Sequence, residues 1–138
     1  MMSPFAIELS SKGHITRRES YDLEFKQAFH YGDSLHEYTR SLVGMANHNG
    51  GQIVFGVKDK PHLPVGLQTD KFSTLDPTRL NAVILEYFSA DISWRVESLE
   101  WDDKEFGILT VEEAENKPVI CRKSFKSILR EGAIYFRY

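Results

Sequence analysis

Met45-Ala46-Asn47-His48-Asn49-Gly50-Gly51-Gln52-Ile53-Val54-Phe55-Gly56-Val57-Lys58-Asp59 carries the chain from the end of a helix into a strand, and this stretch decides the fold. Upstream of it, Leu35, Tyr38, Leu42, Met45 and Ala46 recur at three- and four-residue intervals, so one stripe of a helix is buried. Asp33 or Ser34 can cap that helix, and Ser34-x-x-Glu37 has capping-box spacing. The helix stops around Asn47-His48-Asn49, because Gly50-Gly51 supplies the positive-φ residues that helix ends use. His48 suits a C-terminal cap, where a cation complements the helix dipole. Ile53, Phe55 and Val57 then alternate with Gln52, Val54 and Gly56. Both faces are apolar or small, which predicts a strand in the middle of its sheet.

Working outward, Asp22-Leu23-Glu24-Phe25-Lys26 alternates as a half-buried strand does. Leu23 and Phe25 face the core, and Asp22, Glu24 and Lys26 share the other face. Pro61 and Pro64 mark a loop or hairpin turn leading to Val65-Gly66-Leu67. Asp76-Pro77 opens a second helix whose core stripe is Leu80, Val83, Ile84, Tyr87 and Phe88. Strands follow over 92–101 and 106–111, joined by Asp102-Asp103-Lys104, with two more over 118–121 and 133–138. The sum is an α+β domain, a mixed sheet of about five or six strands with two main helices. Residues 1–16, with a turn signal at Ser10-Ser11-Lys12-Gly13, form an N-terminal extension to a domain over 17–138. The sequence stops inside the apolar run Ile134-Tyr135-Phe136-Arg137-Tyr138, so the expectation is the N-terminal part of a longer protein.

Composition narrows the class. With 138 residues, 41% apolar and 27% charged, the chain fits one soluble globular domain. Cys121 is the sole cysteine, which excludes an intramolecular disulfide and a cysteine-based zinc site. In its apolar setting it reads as a small core residue. No apolar run approaches about 18 residues, so no membrane span is expected, and without a signal peptide the cytoplasm is the default compartment. The net charge of −3 excludes a uniformly basic coat. Charge is nevertheless segregated: 97–115 holds eight acids and only Lys104 as a base, whereas 122–130 holds Arg122, Lys123, Lys126 and Arg130 and no acid.

Three acids stand near turns around the early elements: Glu19, Glu24 and Asp59. Carboxylates hold a hard divalent cation through oxygen, and such a cation activates water and clamps a phosphate. Lys26 shares a strand face with Glu24 and can help neutralise the scissile phosphate. Strand parity constrains how the acids meet. Glu19 is an odd offset from Glu24, so the segment around 17–20 is a loop or a bulge. Asp59 comes after the ladder ends and is re-aimed by the following turn. Gly50-Gly51 lacks the lysine and the helix of a phosphate-binding loop and reads as a helix stop with close strand packing. The histidines, His14, His30, His36, His48 and His62, have no spacing that makes a zinc site.

The ordered set Glu19-Ser20-Tyr21-Asp22-Leu23-Glu24-Phe25-Lys26, Met45 to Gly51, Ile53 to Asp59, Val65-Gly66 and Glu131 to Arg137 resembles the Schlafen AlbA-type domain. The resemblance implies a metal-dependent endoribonuclease core acting on structured RNA such as tRNA, with Mg2+ or Mn2+ held by the matching acids Glu19, Glu24 and Asp59. Lys58 departs from the pattern, since relatives often carry a second acid there. The animal proteins' cysteine/histidine zinc site has no counterpart. Vertebrate members clamp RNA between two related lobes and this length holds one, so clamping implies a homodimer or a second domain. Bacterial relatives that look like DNA-binding modules of longer regulators keep another reading open. In it the acids are incidental or structural, and RNA or DNA lies on Arg17, Arg18, Arg122, Lys123 and Lys126 through phosphate contacts. A protein-interaction domain is the third reading, and it requires a large exposed apolar patch with no basic groove.

Overall fold

The computed structural model describes residues 4–137. In chain order the elements are β1 (Leu23–Lys26), α1 (Asp33–Ala46), β2 (Gly50–Phe55), β3 (Val57–Lys58), β4 (Leu63–Pro64), α2 (Pro77–Tyr87), β5 (Trp94–Trp101) and β6 (Lys104–Glu112). The main sheet has the order β1-β2-β6-β5. β1 and β2 are parallel and are joined by the α1 crossover, whereas β2–β6 and β5–β6 are antiparallel. β3 and β4 form a separate two-stranded ribbon. The architecture is α+β, as the sequence pattern predicts. Among the described residues the strands number six, but they divide between two sheets instead of lying in one.

Each face of the main sheet has its own core. On one face Ile53, Phe55, Leu109 and Val111 pack against Leu35, Tyr38, Leu42 and Met45 of α1 and Leu80 and Ile84 of α2. On the other, Leu23, Phe25, Val54 and Ile108 are covered by Phe5 and Ile15. The described part of the N-terminal extension, from residue 4 on, is therefore a layer of the fold, and Ile15 N–H donates to His62 O at 2.8 Å. β2 is central and buried throughout. Gly51 is required at its start: a Cβ there would sit 2.6 Å from Met45 Sδ and 2.9 Å from the Asp22 carbonyl oxygen. That is the close packing expected of the glycine pair.

Several local expectations are corrected. The α1 N-cap is Gly32 and no side chain caps it, so the Ser34/Glu37 box does not form, and the Asp33 carboxylate pairs instead with Lys126 at 2.7 Å. His48 is not the C-terminal cap. That position is Asn47, and the His48 ring lies edge-on to Tyr21 and Phe136 while Lys117 Nζ donates to its carbonyl. β2 stops at Phe55, and Val57 belongs to the ribbon. The segments at 118–121 and 133–137 are not sheet strands. Backbone bonds tie Cys121 to Gly132 and Ala133, and side chains fix the rest. The buried Asn47 amide accepts from Val119 N–H at 2.7 Å and donates to the Val119 and Tyr135 carbonyls at 3.0 and 2.8 Å. Tyr138 lies outside the described residues. Cys121 is fully buried, as expected.

At α2 the expectation holds: Asp76 is the N-cap, accepts from Thr78 N–H at 3.0 Å, and is followed by Pro77 at the first position. Asp102 and Asp103 turn the β5–β6 hairpin with φ of 53° and 57°, the left-handed pair of a type I′ turn. No helix among the described residues is long and apolar enough to cross a membrane.

Candidate metal centre

The edge strand β1 organises the site. Before it, the chain turns back through the Ser20–Leu23 bridge, which lays Glu19 alongside the strand. Glu19 Oε2 accepts from Phe25 N–H at 3.1 Å, so the carboxylate occupies a backbone donor that no neighbouring strand uses. After β2, Gly56 breaks the ladder and the β3–β4 ribbon carries Asp59 and His62 on its connecting loop. His62 Nε2 lies 3.1 Å from Asp59 Oδ1 and 3.6 Å from Glu19 Oε1. The His62 ring packs edge-on to Phe25, centroids 4.7 Å apart. Glu19, Asp59 and His62 each offer a ligand atom, all within 4.8 Å of one another. Atoms so spaced can share one divalent ion, and two carboxylates with one imidazole are a competent donor set, so the residues fit a cation.

Glu24 is placed elsewhere. Because Leu23 and Phe25 take the face covered by the N-terminal layer, Glu24 and Lys26 project toward α1. The Glu24 carboxylate accepts from Ser41 Oγ at 3.1 and 3.2 Å, pairs with Arg137 Nη1 at 2.5 Å, and lies 3.6 Å from Lys26 Nζ. Arg137 also donates to the Ser20 carbonyl at 2.9 Å. A cleft of about 250 Å³ between α1 and the C-terminal segment is lined by Glu24, Arg40, Ser41 and Arg137. Two of the three acids thus converge, and the third stands on the opposite side of β1 with an arginine on it. Sequence reasoning missed Arg137 and His62. For His62 a signal existed, since Asp59-x-x-His62 spans a proline-marked turn.

Four of the five basic residues, Arg17, Arg122, Lys123 and Lys126, have structural partners. The Arg17 guanidinium lies 5.6 Å from the centre of the Phe5 ring. Arg18 is exposed beside Glu19. Arg122 Nε and Nη2 donate to the Glu86 and Leu85 carbonyls, which caps the C-terminal end of α2. Lys123 pairs with Glu86 at 2.6 Å. Their hydrogen bond holds the Glu86 carboxyl below its ordinary pKa and raises the Lys123 ammonium above its own. Lys126 closes on Asp33 at the start of α1. Another cleft, about 690 Å³, is lined by Asp91, Glu112, Glu113 and Glu115 and by none of the candidate site residues. Its acidity makes it a poor seat for a phosphate.

The fold and this edge cluster define a class: a single α+β domain that presents an acid/imidazole donor set at a sheet edge. The chain belongs to the Schlafen, AlbA_2 family, whose model matches residues 19–138. It is 32% identical over 140 aligned residues to an uncharacterized ATP-binding protein of Ureaplasma parvum serovar 3, and the match takes in 91% of this chain. The chain spans only 39% of that relative's length. Its fold is similar to the N-terminal domain of a RecG-related protein, a candidate ATP-dependent DNA helicase, from Nitrosomonas europaea. There the TM-score is 0.54 at 22% identity, over 86% of this chain and 79% of that one. It is also similar to the DIP2311 protein of Corynebacterium diphtheriae, with TM-score 0.52 at 16% identity, over 94% of this chain and 24% of that one. At such identities the two structures speak for the fold alone.

Proposed function

We propose that this domain is the core of a metal-dependent endoribonuclease acting on structured RNA such as tRNA. The observation that carries the reading is the convergence of Glu19 and Asp59, which come from either side of the β1–α1–β2 unit and offer ligand atoms within 4.8 Å of each other. Membership of the Schlafen, AlbA_2 family supports it. Glu19 and Asp59 hold the divalent ion, Mg2+ or Mn2+, which supplies an activated water and charge neutralisation at the scissile phosphate. Their side chains are 42% and 64% exposed, so phosphate and water can reach open positions. Lys26, 38% exposed, is available to a phosphate oxygen, and Glu24 positions its ammonium from 3.6 Å. Arg17 and Arg18 lie next to Glu19 in the chain and hold the backbone of the substrate. Lys123 and Lys126 extend the basic surface, because exposed ion pairs of the kind they make contribute only about 0–1 kcal/mol and yield readily to phosphate.

A second reading has its own support: Arg137 and Ser41 occupy Glu24 as partners occupy a structural carboxylate. In that reading the domain binds RNA or DNA without cutting it, as the similarity to a helicase-related N-terminal domain would fit. The deciding experiment is cleavage of tRNA and of single- and double-stranded DNA with Mg2+ or Mn2+, beside binding measured in EDTA. Cation-dependent cleavage lost in Glu19→Gln and Asp59→Asn, with binding kept, supports the nuclease. Tight binding with no cleavage by the folded wild type defeats it in favour of the binding module.

A further inference from the structure

His62 belongs to no motif that the sequence singles out, yet it stands at the centre of the site. Its Nε2 faces both carboxylates, at 3.1 Å from Asp59 and 3.6 Å from Glu19. Its position is fixed from two directions. The ring rests edge-on against the buried Phe25, and the backbone carbonyl accepts from Ile15 N–H at 2.8 Å. Glu19 is likewise committed: Phe25 N–H holds Oε2, which leaves Oε1 directed at the imidazole. Glu24, the third acid of the sequence pattern, is on the other face of β1 and shares its carboxylate with Arg137, Ser41 and Lys26.

We propose that His62, and not Glu24, supplies the third ligand of the cation site made with Glu19 and Asp59, and that this set takes Mn2+ in preference to Mg2+. The inference rests on the cation-binding part of the proposed function. Its chemistry follows from the donors. Mg2+ seeks oxygen ligands in strict octahedral geometry and keeps its waters, whereas Mn2+, a first-row transition ion, takes an imidazole nitrogen more readily than Mg2+ does. Two carboxylates and a neutral imidazole also balance the charge of a divalent ion, whereas three carboxylates leave one negative charge in front of a phosphate. The ligand exchange therefore changes the preferred metal and lowers the repulsion that a polyanion meets.

The test is Mn2+ binding to the wild-type chain without nucleic acid, followed by loss of the free-ion EPR signal, with pulsed EPR reading 14N coupling to the bound ion. The expected result is a directly bonded nitrogen in the wild type. In His62→Gln the coupling disappears and Mn2+ affinity falls about tenfold or more, as losing a fixed ligand does. In Glu24→Gln both the coupling and the affinity are kept. In competition, Mg2+ displaces Mn2+ only at concentrations about tenfold higher or more. Melting curves establish that each variant is folded, and the wild-type nitrogen signal stands even if His62→Gln is not. Bound Mn2+ without nitrogen coupling overturns the proposal, as does an affinity unchanged in His62→Gln but lost in Glu24→Gln, or no Mn2+ binding at all. tRNA cleavage by a protein whose Mn2+ shows no nitrogen refutes the ligand assignment and leaves the nuclease reading intact. Nitrogen-ligated Mn2+ without cleavage does the reverse.

Discussion

Glu24→Gln removes one charge from a partly buried pair while keeping the shape of the side chain. The Glu24 and Arg137 side chains are 13% and 24% exposed, between the regime of solvated surface pairs and that of fully buried ones. Exposed pairs contribute about 0–1 kcal/mol and breaking buried ones costs about 3–5, so about 2 kcal/mol is expected here. Ser41 Oγ can still donate to the amide oxygen, which limits the loss. For a chain of 138 residues the unfolding entropy is about 0.29 kcal/mol/K, so the melting temperature falls by about 7 °C. Arg137→Gln should lose a similar amount. The double variant should lose less than the sum of the two by about 1–2 kcal/mol, the coupling that direct partners show. Thermal unfolding followed by circular dichroism reads all four proteins. A Glu24→Gln melting temperature within about 2 °C of wild type, or additive losses in the double variant, would refute the placement of Glu24 against Arg137. The same pair separates stability from chemistry, because Arg137→Gln leaves every acid in place. Cleavage lost in Glu24→Gln and kept in Arg137→Gln ties Glu24 to the reaction through Lys26.

Asn47→Ala removes three hydrogen bonds that pin Val119 and Tyr135, and about 2–4 kcal/mol of stability goes with them; hydrogen exchange of the 118–137 amides should accelerate, and unchanged exchange would dismiss the clamp. His36 stacks on Phe125 at 3.7 Å and burial holds its pKa below 6.5, outweighing the carboxylates of Asp33 and Glu86 that pull it up, with Lys126 adding to the depression. The unfolded chain therefore binds the proton more readily, so stability drops as pH falls below about 6.5 and levels off below the depressed native value. His36→Phe should flatten that part of the pH–stability curve, and an unaltered slope between pH 7 and 5 would assign it to other groups. Lys123→Glu with Lys126→Glu should weaken RNA binding and reduce the slope of log affinity against log salt by about one or two; an unchanged slope removes that face from the interface.

How far the sequence could be read depended on the range of the interaction. β2, both main helices and the Asp102–Asp103 turn are local patterns, and all are present. Parity went further than pattern. It required Glu19 to lie in a loop and Asp59 to be turned out of its strand, and those two acids do meet. It failed for Glu24, because alternation says which residues share a face and not what covers it. The face opposite Leu23 and Phe25 reads as open, yet α1 and Arg137 cover it. Arg137 is 113 residues from Glu24, and no periodicity connects them. The apolar runs at 118–121 and 133–137 imitate strands for a related reason. Val119 and Cys121 are buried while Ile120, Ile134 and Phe136 are exposed, an alternation like a strand's, and the buried amide of Asn47 takes hydrogen bonds that a neighbouring strand would have taken.

The bond between Phe25 N–H and Glu19 Oε2 bears on how this sheet avoids growing. An edge strand with free donors invites another chain to add itself, and β1 is one of the two edges. Here a side chain of the same molecule already fills the strand's outward donor, and that side chain is anionic. A second copy approaching β1 would have to expel the carboxylate and bury a charge to make its own ladder. The other edge, β5, is eight residues long. The two oxygens of Glu19 divide their labour, one closing the sheet to strangers while the other faces the ligand cluster.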